Sequence, residues 1–131
     1  MRTTLGVMDK TRKLSDISAY TIAFDLGNYV WRLVVQWDYL SKDTVGKQFI
    51  RSTDSVSANI AEGFGRWSKK DRIKFYRYSF GSLYESLDWN QKALIRNLLT
   101  SDQHAHIQNE LRKLPRELNV LIKYTNEILT I

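Results

Sequence analysis

The chain has no cysteine, one proline and six glycines among its 131 residues. The absence of cysteine excludes disulfide frameworks, thiolate metal sites and cysteine nucleophiles, and it is typical of a reducing compartment, so we expect a cytoplasmic protein. So little proline and glycine argues against a sandwich or barrel of short strands, which needs frequent turns. The sequence therefore predicts long helices, in one domain large enough to bury its own core.

Long apolar runs are also missing. The N-terminal stretch MRTTLGVMDKTRKL is basic but lacks the apolar core of a secretory signal, and we interpret residues 1–14 as a mobile tail ahead of a domain at 15–131. We expect no membrane contact, because polar residues interrupt the longest candidate span, residues 17–40. These interruptions are Asp25, Asn28, Arg32, Gln36 and Asp38.

Apolar residues recur at spacings of three and four in four segments, which is the pattern of one helical face. The first of these stripes extends through Trp37 and Leu40, and Pro115 inside the fourth segment predicts a kink or a break. Short connections make successive helices antiparallel neighbours, so the predicted fold is all-α, an elongated up-down four-helix bundle. The predicted helices cover about residues 16–40, 45–64, 69–99 and 102–130.

Local signals mark where these helices begin and end. Residues 41–44 form a short polar break before the second helix. Gly63 and Gly65 bracket its end, where a left-handed residue is common. Ser68, with Asp71 three residues later, is typical of a capping-box variant and opens the third helix.

Polar residues form a second stripe on the predicted second helix, and a shorter one follows Gly81 on the third. Small residues near them, among them Ala58, Ala61 and Gly81, predict a close approach of the two helices. We therefore expect the two polar stripes to meet and to satisfy each other's hydrogen bonds. The stripes consist of Ser55, Asn59, Glu62 and Arg66 on one helix and of Ser82 and Glu85 on the other.

The segments SVSANIAEGFGR (residues 55–66) and FGSLYES (residues 80–86) resemble the four-helix-bundle family encoded in intervening sequences of bacterial large-subunit (23S) ribosomal RNA genes. That family is related to the accessory variability proteins of diversity-generating retroelements. The matching positions that we interpret as the structural motif are Arg51, Ser55, Asn59, Glu62, Gly63, Gly65, Gly81, Ser82 and Glu85.

The resemblance implies a protein without enzymatic activity, assembled into a ring-like homopentamer. We expect no cofactor, because aromatic residues at helical spacing fit core or interface positions. It also implies nucleic-acid binding through basic surface charge. The retroelement branch of the family adds a reverse transcriptase as a candidate partner. A protein-interaction adaptor is therefore the alternative to a nucleic-acid-binding module.

A basic run accounts for most of the net charge of +6, since residues 66–77 hold six basic residues and one acid, Asp71. Lysine and arginine neutralise phosphates, and the aromatic residues interleaved with them can stack on unpaired bases. The alternative is a solvated helix face whose aromatic residues belong to the core. The candidate nucleic-acid-binding residues are Arg66, Trp67, Lys69, Lys70, Arg72, Lys74 and Arg77.

An enzyme is the third hypothesis, because Glu62, Glu85 and Arg66 could form a catalytic group. We favour a structural hydrogen-bond network, since the group contains no histidine or cysteine. His104 and His106 are two residues apart on a helix and point away from each other, so no metal site is expected. Tryptophans at helical spacing fit core or interface positions, and the interface candidates are Trp31, Trp37 and Trp89.

Overall fold

Four long helices make up the protein in a computed structural model that describes residues 12–129. No strand occurs in that part of the chain, so the predicted all-α class is confirmed. A 3-10 turn, Leu14–Asp16, precedes the first helix, and a short helix, Tyr39–Ser41, leads through a π-helical segment, Lys42–Gly46, into the second. The long helices are α1 (Ser18–Val34), α2 (Lys47–Phe64), α3 (Lys69–Ile95) and α4 (Ser101–Ile128).

The helices pack in a closed order, with α1 on α2, α2 on α3, α3 on α4 and α4 back on α1. This is an up-down bundle, and α4, with 28 residues, is about 42 Å long at about 1.5 Å per residue. The predicted apolar stripes supply the core. Its fully buried side chains include Ala19, Ala23, Leu26 and Val30 of α1, Phe49, Val56 and Ile60 of α2, Tyr76 and Leu83 of α3, and Ile107, Leu111, Leu114 and Leu118 of α4.

Helix α1 ends at Val34, so the predicted end at residue 40 is wrong. The Asp38 carboxylate accepts hydrogen bonds from the Ser41 N–H at 3.0 Å and the Ser41 hydroxyl at 2.8 Å, which caps a new helix beginning at Tyr39. These bonds lower the pKa of Asp38. The chain therefore turns at residues 35–38, the predicted polar break at 41–44 is helical, and Leu40 lies on the surface.

The N-terminal side of the domain begins earlier than predicted. Leu14 opens the 3-10 turn and packs against the core, and the Lys13 N–H donates to the Asp16 carboxylate at 2.9 Å. The Arg12 guanidinium lies 4.3 Å from the centre of the Tyr124 ring on α4. Residues 12–14 therefore do not belong to a tail, and the rest of the predicted tail, 1–11, lies outside the described residues.

Helix α3 ends at Ile95, four residues before its predicted end. Asn97 has a φ of 60°, and the N–H groups of Asn97 and Leu98 donate back to the carbonyls of Leu94 and Ala93 at 3.1 and 2.9 Å. This is a Schellman motif with asparagine in the usual glycine position. Leu98 still packs on the core from the loop, which explains why the apolar spacing continues past the helix.

Helix α4 begins after a capping box between Thr100 and Gln103. It then runs without interruption through Pro115, so the predicted break does not occur. A proline in a helix interior costs about 3 kcal/mol. Burial of Leu114 and Leu118 on either side offsets this cost, because each contributes about 1.5–3 kcal/mol.

Candidate nucleic-acid interface

The turn between α2 and α3 holds the start of the basic run, and its helix boundaries fall at the predicted residues 64 and 69. The Ser68 hydroxyl accepts a hydrogen bond from the Asp71 N–H at 3.2 Å and so caps α3. Gly65 has a φ of −79°, so the expected left-handed residue at the end of α2 is not there. The turn is built by capping rather than by an unusual glycine conformation.

Two arginines of the basic run brace this turn. Arg66 forms an ion pair with Glu62 at 2.7 Å and lies 4.7 Å from the centre of the Phe75 ring. Arg72 donates from Nε to the Arg66 carbonyl oxygen at 2.7 Å and lies 5.6 Å from the centre of the Phe64 ring. Both guanidinium groups are thus held against the protein, which gives them a structural role in addition to their charge.

The remaining cations lie beside an open groove between the start of α3 and the end of α4. The Lys69 ammonium is 3.5 Å from the Asn126 carbonyl oxygen, and the Lys74 ammonium is 3.9 Å from the Asp71 carboxylate. Both distances are at the limit for a direct interaction, so neither pairing neutralises its lysine. The groove is lined by Lys69, Lys70, Asp71, Ile73, Lys74, Arg77 and Asn126.

The aromatic residues interleaved with the cations separate into two groups. Tyr76 is buried in the core. Phe75 is half-buried, and its ring packs edge-to-face on the Tyr78 ring, with the two ring centres 5.3 Å apart. Trp67 is 76% exposed and Tyr78 is 51% exposed. Both remain accessible for stacking on a flat ligand.

The predicted polar stripes of α2 and α3 do not meet. Among residues 12–129, the hydrogen bonds of these side chains stay within their own helices, as when the Asn59 amide donates to the Ser55 carbonyl at 2.9 Å. Glu85 accepts from the Trp89 ring nitrogen at 3.2 Å, and Arg51 donates to the Gln48 amide oxygen at 2.7 Å. The expected interhelical network of these residues is therefore wrong.

Buried serines join the two helices instead. The Ser79 hydroxyl donates to the Val56 carbonyl oxygen at 2.9 Å, and the Ser86 hydroxyl donates to the Ser52 hydroxyl at 3.1 Å. Ser52, Ser79 and Ser86 are 2% exposed or less. Ser79 and Ser86 share one face of α3 with Leu83, at spacings of four and three. This signal was present in the sequence but was hidden by their polarity.

Close approach of α2 and α3 occurs at Gly63 and not at Gly81. A Cβ added to Gly63 would lie 2.7 Å from the Tyr76 ring and 2.9 Å from the Arg72 carbonyl oxygen. A Cβ added to Gly81 would meet nothing within 4 Å, and Ala58 is exposed. The prediction that Gly81 and Ala58 let the helices approach is therefore wrong, because both lie on the outer surface of the pair.

Metal sites and membrane-spanning helices were also considered in the described part of the chain. Residues 12–129 contain no group of three or more acidic, histidine or cysteine residues that could hold a metal ion. His106 packs on the Tyr29 ring, with the two ring centres 4.5 Å apart. None of the described helices combines the length and the apolar character that crossing a membrane requires.

Comparisons with known proteins agree with this architecture. A crystal structure of a protein of unknown function from the S23 ribosomal protein family of Bacteroides thetaiotaomicron is similar, with a TM-score of 0.71 and 21% sequence identity. The match covers 80% of this chain and 98% of that one. Among curated proteins, none matches. The sequence profile described as "23S rRNA-intervening sequence protein" matches residues 15–120, so the chain belongs to that family.

Proposed function

We propose that this chain is a non-enzymatic module of the cytoplasm that binds RNA or DNA through the basic turn between α2 and α3. The observation that carries the proposal is the groove beside α3, where, among the described residues, four cations face a single carboxylate, that of Asp71. A cluster of this kind neutralises phosphates and releases their counterions. The N-terminus of α3, at the same place, adds the partial positive charge of a helix dipole.

The contacts of the basic run separate its structural residues from those available to a ligand. Arg66 and Arg72 hold the turn in place, whereas Lys69, Lys70 and the exposed Trp67 are available to a ligand. Phosphates would then lie along the groove, and Trp67 would stack on an unpaired base near them. This combination favours a ligand that contains single-stranded segments, such as a structured RNA with loops.

The test is filter binding of a single-stranded RNA, an RNA hairpin and a DNA duplex at two salt concentrations. We expect log Kd to change with log salt with a slope of roughly 3–6, as for about four to six neutralised phosphates. The K69Q/K70Q variant should reduce this slope by about 1.4 for single strands and by about 1.8 for the duplex.

The matched control for that variant is K42Q/R96Q, which removes the same charge at the opposite end of the bundle, where both residues are exposed. We expect it to leave the slope nearly unchanged. Absence of binding by the intact wild-type protein at about 50 mM salt would refute the proposal. Equal losses in both variants would show that only net charge matters.

Self-association into a homopentamer is part of the proposal. Phe24 and Trp31 lie seven residues apart on α1, and they are 48% and 54% exposed. Large aromatic residues on one helix face are typical of the buried centre of a protein interface. Light scattering should give five times the 15.4 kDa mass of one chain, or a multiple of that, and a Phe24→Ser/Trp31→Ser variant should give a smaller assembly.

An adaptor for a reverse transcriptase is the second candidate function, and the end of the bundle opposite the basic turn favours it. Tyr39, Leu40 and Ile95 are all more than two thirds exposed there. Such apolar patches commonly mark protein interfaces. Size-exclusion chromatography of the purified chain mixed with a retroelement reverse transcriptase, with and without RNA, tests this function by co-elution. The Leu40→Ser/Ile95→Ser variant should abolish the co-elution that the wild-type chain shows.

A further inference from the structure

Gly81 lies in the middle of α3, and no neighbouring atom among the described residues requires a glycine at this position. A Cβ on Gly27, Gly46 or Gly63 would come within 2.7 Å of a neighbouring side chain. A Cβ on Gly81 would meet nothing within 4 Å. Because glycine lowers helix propensity relative to alanine, this glycine weakens α3 without a compensating contact among residues 12–129. It leaves bare backbone on an exposed helix face, where another surface can approach closely.

The residues around Gly81 are arranged symmetrically along α3. Positions three residues before and after it are tyrosines, and positions four and seven residues away carry opposite charges on the two sides. All of these side chains are exposed. The pairs, counted outward from Gly81, are Tyr78 with Tyr84, Arg77 with Glu85, and Lys74 with Asp88.

From this pattern we propose that α3 packs against α3 of a second copy of the chain, with a two-fold axis passing between the two copies of Gly81. In such a contact residue i of one copy meets residue j of the other, and j meets i. An antiparallel crossing therefore brings each Arg77 to a Glu85 of the partner subunit and each Lys74 to an Asp88 of the partner subunit. The tyrosines flank the two facing glycines.

Helix geometry is compatible with this crossing. Arg77, Gly81 and Glu85 form a ridge at intervals of four residues, and interdigitation of two such ridges gives the common crossing angle of about −50°. With glycine at the crossing point, the two backbones can approach without a side chain between them. The tyrosines supply large apolar surfaces with hydroxyl groups at the rim, as is common at interfaces.

A second copy fits this face better than nucleic acid does. Glu85 and Asp88 lie within two turns of Gly81, and their carboxylates would repel a phosphate backbone. The same carboxylates complete the pairing with a second copy, since they meet its cations. Lys69 and Lys70 lie farther toward the N-terminus of α3 and stay available for the nucleic acid of the proposed function. Lys74 and Arg77 belong to both surfaces, so nucleic acid and a second copy compete for these two residues of the groove.

Existing ion pairs on α3 compete with the new contact and limit its strength. Asp88 pairs with Lys92 at 2.6 Å, and Lys74 lies 3.9 Å from Asp71. Exposed pairs of this type contribute little and exchange readily. One helix crossing also buries less than a standard interface, so the association falls in the weak class. Combined with a five-fold ring the contact gives ten chains, and by itself it gives two.

The first test is sedimentation velocity of the wild-type chain over a wide concentration range. We expect an even number of subunits at the highest concentration and half that number on dilution. The variant Gly81→Gln should stay at the smaller species throughout, and Ala105→Gln, at an exposed small residue of α4, should behave like the wild type. Circular dichroism confirms that each variant remains helical.

A charge exchange tests the pairing itself. Arg77→Glu or Glu85→Arg alone creates two like-charge pairs across the axis, and each should weaken association by at least about tenfold. The double variant R77E/E85R restores both pairs with reversed sign and should recover most of the wild-type association. Failure of the double variant to recover would overturn the proposal. It would also be overturned if Gly81→Gln reduced RNA binding and left the mass unchanged, because the face would then belong to the nucleic acid.

Discussion

On the inner face of the α2–α3 pair, three serines are almost fully buried, and two of their hydroxyls donate across the helix boundary. On the outer face, the polar residues of the motif bond within their own helices or remain exposed. The same contrast applies to glycine, because Gly63 is required by its neighbours and Gly81 is not. The comparison teaches that the inner face specifies how the helices pack and that the outer face is free for recognition.

The largest expected effect of a substitution in this comparison is at Gly63. Gly63→Ala places a methyl group 2.7 Å from the Tyr76 ring and 2.9 Å from the backbone of Arg72, so α3 must move. Overpacking of this kind costs about 1–3 kcal/mol, which urea unfolding measures. Gly65→Ala is the control, because its nearest new contact is 3.5 Å away. Equal midpoints for the two variants would contradict the assignment of Gly63 to a tight contact.

Removal of an inner hydroxyl should have the next largest effect. Ser79→Ala loses the bond to the Val56 carbonyl, and a typical intramolecular hydrogen bond contributes about 1 kcal/mol. The control is Ser57→Ala, whose hydroxyl bonds only to the Asp54 carbonyl of its own helix, 3.1 Å away. Thermal unfolding should place Ser79→Ala clearly below that control. A melting temperature equal to the control's would remove the energetic distinction between the two faces.

Gly81→Ala should change stability in the opposite direction. Since the new methyl group meets nothing within 4 Å, the helix gains propensity, and unfolding should cost roughly 0.5–1 kcal/mol more. The measurement is urea unfolding in dilute solution, where contacts between copies are absent. A loss of stability there would mean that Gly81 has a role inside one chain after all.

The smallest expected effect concerns the surface of α2 that faces α1. Burial raises the pKa of Asp54, so the folded state binds the proton more tightly than the unfolded chain. Ionisation of this carboxyl therefore lowers the free energy of unfolding as the pH rises from the ordinary aspartate pKa through the folded pKa. Below the ordinary pKa the group is protonated in both states and does not change the free energy of unfolding. Asp54→Asn should raise the melting temperature slightly at neutral pH and not at about pH 3.

The control for that variant is Asp25→Asn on the exposed face of α1. We expect its melting temperature to follow that of the wild type at both pH values. A gain for Asp54→Asn that persisted unchanged in acid would show that ionisation of the carboxyl is not its cause.

Sequence patterns predicted the helix boundaries best where a local signal and the apolar spacing agreed. Residues 64 and 69 were placed correctly because the apolar stripe of α2 ends where Ser68 provides a cap. The end of α1 was missed because the apolar spacing continues through Trp37 and Leu40 while the Asp38 cap starts a new helix. At that point a hydrogen bond to the backbone outweighs the continuing apolar pattern.

The candidate site was only partly predictable for a similar reason. The basic run can be located from the sequence alone. The bracing role of Arg66 and Arg72 cannot, because it depends on contacts with Phe75 and Phe64 that form only in the folded chain. The buried serines were missed because polarity alone places serine outside. A hydroxyl bonded to a carbonyl on a neighbouring helix can nevertheless be buried at little cost.

An even number of helices places the start of α1, the end of α4 and the basic turn at one end of the bundle, as the contacts of Arg12 with Tyr124 and of Lys69 with Asn126 show. A fluorophore attached at Arg12 or Asn126 would therefore lie beside the proposed groove and disturb the binding that it is meant to report. Because the chain has no cysteine, a single cysteine introduced at Lys42 offers a unique labelling site at the far end.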